Sequence, residues 1–239
     1  MSTYREMVYL VLDKLKGISD DFSFTEDHIL FQLVKYRAFL LKQRYSDVKK
    51  HIPEQNYQTI LLNLEDVGNT CVEFCTDGGH KRSVEEVPYP MNISIPKVYD
   101  CNYMIENISY IMRDRMRFVG HNTYLNNIIY CSIYPNNLLY LKSNSNIITS
   151  LDKVYMTAIF QDCLEALKLE ENKECEIMDN IFPLEDSLVE PLVEMVVKDL
   201  MPDVYKPSDD VNNAKDDLSD MMSFIRRNMK SNLQKQIEQ

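Results

Sequence analysis

The stretch TEDHILFQLVKYRAFLLKQRY, residues 25–45, is the one on which the predicted fold depends. Thr25 is suited to cap the free backbone N–H groups of a helix that follows it, and the acidic Glu26 and Asp27 suit the positive end of the helix dipole. Most of the later residues are apolar, and the polar stripe that remains is narrow: Gln32, Lys35 and Lys42. Because a helix that is apolar around most of its circumference must be covered on more than one side, we expect a central rod around which other elements pack.

The flanking sequence predicts helices at both ends of the chain and strands between them. Tyr4–Lys16 has apolar residues at helical spacing and ends at Gly17, and Leu184–Met201 carries similar apolar stripes. After Tyr57, polar and apolar residues alternate as in a strand. The predicted fold class is therefore α+β, a helical bundle formed by both chain ends with an inserted antiparallel β unit and a C-terminal helical tail. The expected domains are, in chain order, the first part of the bundle, the inserted β domain, the second part of the bundle and the tail: 1–56, 57–160, 161–220 and 221–239.

Inside the β unit, one hairpin is well marked and one segment is ambiguous. Asn127–Ser132 and Leu138–Lys142 flank a turn that contains Pro135 and two asparagines, which are typical turn residues. The segment SYIMRDRMRFV, residues 109–119, reads either as one strand or as two short strands joined by a turn. Its cations suit a phosphate backbone or the acidic surface of a neighbouring copy, and they are the candidate subunit contacts: Arg113, Arg115 and Arg117.

Composition and charge bound the class of protein. The chain has 239 residues, 45% of them hydrophobic, and its mean hydropathy is −0.33. No run approaches the roughly 20 apolar residues of a membrane span, so we expect no membrane partner. The N-terminus is a poor signal peptide and the six cysteines are scattered, which favours reduced thiols and synthesis in a cytoplasm.

Residues 162–220 hold 18 of the 37 acidic residues and 5 of the 26 basic ones. Such a block repels nucleic acid; it is a solvated face or a surface that meets a basic partner.

Motifs that carry chemistry are missing. The best metal candidate, Cys71, Cys75 and His80, lacks a fourth ligand. No glycine-rich phosphate loop or nucleophile motif occurs, and the paired carboxylates are adjacent in sequence, so they diverge on regular elements. We therefore predict no enzyme, no cofactor and no metal. A nucleic-acid site would use cations and aromatic residues in and just after the central helix: Lys35, Arg37, Lys42, Arg44, Lys49 and Lys50, with Tyr36, Phe39 and Tyr45. A simpler explanation of these residues is that the cations favour the C-terminal end of a helix and the aromatic residues lie in the core.

The last segment, residues 221–239, is amphipathic and rich in methionine, an adaptable side chain that suits docking on a partner or ordinary packing within the chain. Its candidate partner interface consists of Met221, Met222, Phe224, Ile225, Arg226, Arg227 and Met229.

Several long stretches resemble the ring proteins, or head-to-tail adaptors, of crAss-like bacteriophages: SFTEDH (23–28), KYRAFLLKQRYSD (35–47), IPEQNYQTI (52–60), RDRMRFVG (113–120), NIIYCSI (127–133), FPLEDSLVEPLVEMVVKDL (182–200) and NNAKDDLSD (212–220). The resemblance implies a structural, non-enzymatic virion protein that is made in the cytoplasm of the bacterial host. It implies a ring, generally of twelve copies, that joins the portal to the next tail ring protein at the portal–tail junction of a short-tailed phage. DNA would pass through its lumen without specific binding. The alternative is a nucleic-acid-binding accessory protein of a phage.

Overall fold

A curved sheet of seven strands, accompanied by helices, forms the core of the protein. The computed structural model describes residues 2–17, 24–47, 51–67, 79–100, 108–119, 124, 128–143, 146–171, 173 and 176–201. The helices are α1 (Tyr4–Lys16), α2 (Glu26–Arg44), α3 (Cys163–Lys168) and α4 (Asp186–Leu200). The strands are β1 (Gln58–Asp66), β2 (Gly79–Ser83), β3 (Lys97–Asp100), β4 (Ile108–Tyr110), β5 (Ile129–Ile133), β6 (Leu139–Ser143) and β7 (Lys153–Ala158). The chain divides into a compact unit, Met1–Asp199, and a second unit, Leu200–Gln239, of which only the first two residues are described.

The strand order is β3-β7-β1-β2-β6-β5-β4. All neighbouring pairs are antiparallel except β4 and β5, which run parallel. β1 joins the two halves of the sheet, because its first six residues pair with β7 and its last three pair with β2. Cα atoms of the edge strands β3 and β4 come within 8 Å of each other, so the sheet almost closes into a barrel. Its core is apolar and includes Ile60, Leu62, Ile129, Leu139, Val154, Met156 and Phe160.

The predicted fold class is wrong. The protein is a mixed α/β structure dominated by a seven-stranded, nearly closed, barrel-like sheet, and not a helical bundle with a small β insertion. The sequence hid strand β2, GHKRS, because its inward positions are polar: Lys81 and Ser83 are buried. Lys81 Nζ donates to the carbonyls of Thr149 at 3.1 Å and Leu151 at 2.7 Å, and these bonds allow a lysine to be buried there. A strand with polar residues at its inward positions lacks the apolar alternation by which strands are recognised. The expected domain boundaries stay predictions.

The two N-terminal helices follow their sequence signals. α1 spans Tyr4–Lys16 as predicted, and Thr3 forms a capping box with Glu6. α2 begins after Thr25, whose hydroxyl accepts the backbone N–H of His28. The predicted hairpin of β5 and β6 is also confirmed, and Asn137 takes the left-handed conformation in its turn, with φ of 57°.

The central helix α2 is buried over much of its surface, but one part of its apolar surface faces outwards. Ile29, Leu33 and Leu41 are fully buried within the chain. Phe31 and Phe39, which the sequence pattern places among the core residues, are 63% and 55% exposed. The elements of its own chain therefore cover α2 only in part.

A fully buried arginine on α2 connects three distant parts of the chain. Arg37 Nε donates to the carbonyl of Pro183 at 2.8 Å, Nη1 to the carbonyl of Phe160 at 2.9 Å, and Nη2 to the carbonyl of Asn56 at 3.3 Å. These carbonyls lie just before α4, just after β7 and just before β1. The planar guanidinium presents several donors in a fixed arrangement, which suits it to hold three segments at once.

Two neighbouring residues extend this contact into what we call the Arg37 junction, formed by Arg37, Asn56, Phe160, Pro183 and Glu185. Asn56 Oδ1 accepts the backbone N–H of Glu185 at 2.9 Å, and the buried Glu185 carboxylate accepts the hydroxyl of Tyr45 at 2.8 Å. Burial, followed by this hydrogen bond, raises the pKa of Tyr45 to about 12. The junction therefore fixes both α2 and the start of α4 against the sheet.

We expect Arg37→Met to lower the free energy of unfolding by about 3–5 kcal/mol, because it leaves three buried carbonyls without their charged donor. Urea unfolding, followed by circular dichroism and tyrosine fluorescence, measures the change. The matched control is Lys42→Met on the exposed side of the same helix, which should stay within about 0.5 kcal/mol of the wild type. Equal stabilities of the two variants would contradict the structural role of the junction.

Candidate subunit interface

The segment that carries the three predicted arginine contacts is a short projection and not a strand. β4 ends at Tyr110, and Arg113–Arg115 forms a 3-10 turn. We call Met112–Phe118 the 112–118 tip. Met116 is buried and anchors it, whereas Met112 and Phe118 are 73% and 80% exposed. The cations are all exposed: Arg113, Arg115 and Arg117. The tip therefore presents positive charge and apolar side chains together.

The base of the tip is fixed to the sheet. The backbone N–H of Ile111 donates to the carbonyl of Cys131 at 2.9 Å, which extends the pairing of β4 with β5. The Arg113 guanidinium lies 5.5 Å from the ring centre of Tyr134 in a cation–π contact. Within the part of the chain that the structure describes, Arg115 and Arg117 form no ion pair. Both guanidinium groups are exposed.

A second exposed surface lies on α2. Phe31, Lys35 and Phe39 follow one another at four-residue steps, so they line one side of the helix over about 12 Å. Lys35 Nζ lies 5.1 Å from the ring centre of Tyr36 and donates to Gln32 Oε1 at 3.5 Å. We call this surface the Phe31–Phe39 stripe. Two phenylalanines that remain more than half exposed two turns apart are typical of a contact surface.

The cations of the alternative nucleic-acid site are not all exposed. Arg37 is fully buried in the Arg37 junction, so it cannot contact a phosphate. Lys35, Lys42 and Arg44 are exposed, and Lys49 and Lys50 lie outside the described residues. The α2 helix therefore loses the central cation of the proposed set.

The described residues lack a candidate metal site and include a groove with two carboxylates. They include no group of three or more side chains that could hold a metal ion, and Cys71 and Cys75 of the zinc hypothesis lie outside them. A groove of about 680 Å³ contains Glu54 and Glu170, and burial raises the pKa of Glu170. Neither a histidine nor a cysteine is among the residues that line this groove. No helix among the described residues is long and apolar enough to cross a membrane.

Comparison with known proteins assigns the chain. Residues 6–218 match the family described as phage tail ring protein 2. The chain belongs to the phage tail ring protein 2 family. It is also 50% identical, over 222 residues, to ring protein 2 of Bacteroides phage crAss001, and the match covers 91% of this chain and 99% of that protein. The resemblance to the ring proteins of crAss-like phages is confirmed.

Membership of the ring protein family makes this chain a structural tail protein and a virion component, which assembles with other virion proteins. The tip and the Phe31–Phe39 stripe are accordingly candidate contact surfaces. Sequence reasoning named the three arginines but missed Phe31 and Phe39, because their apolar side chains fit the core pattern of α2. The predicted partner residues of the tail lie outside the described residues: Met221, Met222, Phe224, Ile225, Arg226, Arg227 and Met229.

The reactivity of two buried cysteines shows whether the described fold contains a nucleophilic thiol. Cys131 and Cys163 are fully buried, and burial raises the pKa of both thiols. We expect iodoacetamide at pH 8 to modify them on the order of 100-fold more slowly in the native protein than in urea, because few thiolates form and the reagent cannot reach them. Site-resolved mass spectrometry measures both rates. Modification of either native thiol at the denatured rate would reveal a reactive site.

Proposed function

We propose that this protein forms a ring of twelve copies at the portal–tail junction of a short-tailed phage. In this role it connects the portal protein to the next tail ring protein, and DNA passes through its lumen without specific binding. It acts as a structural adaptor and needs no cofactor. Family membership supports the tail ring itself, and the copy number, the portal contact and the lumen follow from the resemblance to head-to-tail adaptors.

The observation that carries the proposal is that a packed fold still exposes two different contact surfaces. The Arg37 junction and the apolar core of the sheet hold the interior together. The 112–118 tip and the Phe31–Phe39 stripe stay outside it, with exposed aromatic and basic side chains. A ring is built from heterologous contacts, in which one surface of a copy meets a different surface of the next. Two separate exposed surfaces on one subunit meet this requirement.

The acidic part of the chain suits a lumen that carries DNA. Four carboxylates in α3 and in the segment between α3 and α4 are exposed: Glu165, Glu171, Glu176 and Asp179. Arg5 neutralises only the last two, at 2.8 Å and 3.0 Å. The whole chain has a formal net charge of −11. A negative channel wall repels phosphates, which lets DNA move without binding.

The proposal predicts the size of the purified protein. We expect the wild-type chain, alone or with its portal protein, to sediment as a ring of about twelve subunits, visible as a closed ring by negative-stain microscopy. A chain that stays monomeric at high concentration and never binds the portal protein would contradict a ring-forming adaptor.

The same measurement of ring assembly tests whether a neighbouring copy packs on the exposed side of α2. Phe31→Ser with Phe39→Ser should lower the apparent affinity between subunits by at least about 10-fold and so favour monomers. The reason is that the two phenyl side chains would lose their apolar contact with a neighbouring copy. The fold should persist, since both side chains are already more than half exposed. The control is Ile95→Ser, which removes a 76% exposed apolar side chain outside the stripe. If the double variant and the control both assemble like the wild type, α2 is not a subunit contact.

The tail provides a second, independent prediction. We expect Met222→Gln with Phe224→Ser and Ile225→Ser, in the full chain, to leave the ring intact but to weaken binding of the portal or of the next tail ring protein by about 10-fold or more, since these are apolar residues of the candidate partner interface. Pull-down with each partner protein measures this. Gln234→Ser with Gln236→Ser is the polar control. Unchanged binding of both partners would exclude the tail as their docking segment.

A further inference from the structure

We propose that the 112–118 tip of one copy docks on an acidic side of α4 in the neighbouring copy. This inference rests on the proposed ring, and it names the surface that the three tip arginines meet. The acceptor, which we call the α4 carboxylate stripe, consists of Asp186, Glu190 and Glu194.

The α4 carboxylate stripe is regular and exposed. Its three residues follow at four-residue steps, about 6 Å apart along the helix axis, and all three are exposed. Like charges at this spacing disfavour a helix by a few tenths of a kcal/mol per pair. Lys14 forms an ion pair with Glu190, the middle residue of the stripe. Of the described helices, α4 alone has three carboxylates at successive four-residue steps, so a cationic partner relieves repulsion on this surface.

The tip has the matching chemistry. Arg115 and Arg117 form no ion pair within the described chain, and a guanidinium binds a carboxylate through two parallel hydrogen bonds. The apolar part of the contact is matched as well. Pro191 is exposed next to Glu190 and one turn before Glu194, and it offers the exposed Phe118 ring an apolar surface on the same side of α4.

Several other exposed carboxylates are occupied within their own chain, as Glu190 is by Lys14. Lys81 lies 3.9 Å from Asp66 and 3.5 Å from Asp152, and Arg5 holds Glu176 and Asp179. Glu171 accepts the hydroxyl of Tyr155. Glu194, in contrast, has no described partner. The tip and the α4 carboxylate stripe are therefore complementary surfaces of one subunit, and a contact between them in neighbouring copies is heterologous, as a ring requires.

Charge reversal tests the contact directly. The tip variant is Arg115→Glu with Arg117→Glu, and the stripe variant is Glu190→Lys with Glu194→Lys. Each alone places like charges opposite each other, so each should lose at least about 10-fold in apparent ring affinity, measured by sedimentation velocity in 150 mM salt. Both pairs combined in one chain should restore assembly to within about threefold of the wild type. An equal mixture of the two variant chains should also assemble, in rings where the variants alternate.

Two controls separate the possible failures. Lys97→Glu with Lys153→Glu makes the same change of charge as the tip variant at exposed positions of β3 and β7, and it should assemble like the wild type. Urea unfolding confirms that each chain folds. If a reversed chain does not fold, Arg115→Gln with Arg117→Gln replaces it and should weaken the ring and reduce its sensitivity to salt. If the wild type forms a ring and every charge-reversed variant assembles equally well, this contact alone is overturned. The same holds if the single reversals weaken the ring and neither the combined chain nor the mixture restores it. A wild-type chain that forms no ring overturns the proposed function as well.

Discussion

The guanidinium of Arg37 lies in the interior, where its described hydrogen-bond acceptors are three backbone carbonyls. A buried cation without a neutralising carboxylate among these acceptors is costly, and the cost is offset only if every donor is well placed. Asn56, Phe160 and Pro183 must therefore hold their positions whenever the protein is folded. Because these residues border β1, β7 and α4, the relative placement of helix and sheet depends on one side chain. The packing of the apolar core then follows within this frame.

A frame of this kind matters for a subunit that assembles. The 112–118 tip extends from β4 on the sheet, whereas the Phe31–Phe39 stripe belongs to α2, and the Arg37 junction links the sheet to that helix. Surfaces on rigidly connected elements keep a fixed angle to one another. In a closed ring that angle sets the rotation from each copy to the next, so an error repeated at every contact would prevent closure. The interior of this subunit is accordingly part of the geometry of its assembly.

How much of this could be predicted depended on whether the signal was local. The bounds of α1 and α2 follow from Thr3, Thr25 and the apolar spacing behind them, and the β5–β6 hairpin follows from its turn residues. Strand β2 could not be predicted, because Lys81 is buried against carbonyls of residues 149 and 151, far along the chain. Arg37 has the same difficulty: its acceptors lie 19, 123 and 146 residues away, and on sequence alone it belongs with the surface cations. The exposure of Phe31 and Phe39 depends on where other elements stop, which periodicity does not encode.

The gap between β3 and β4 has a consequence for a protein that works at high local concentration. Open sheet edges offer unpaired backbone groups to other chains, which is a common route to aggregation. Here both edges are poor templates. β4 has three residues, and β3 has four, follows Pro96 and begins with the exposed Lys97. Short, charged edges of this kind discourage strand addition between crowded copies, so that side chains rather than backbone pairing decide how the subunits meet.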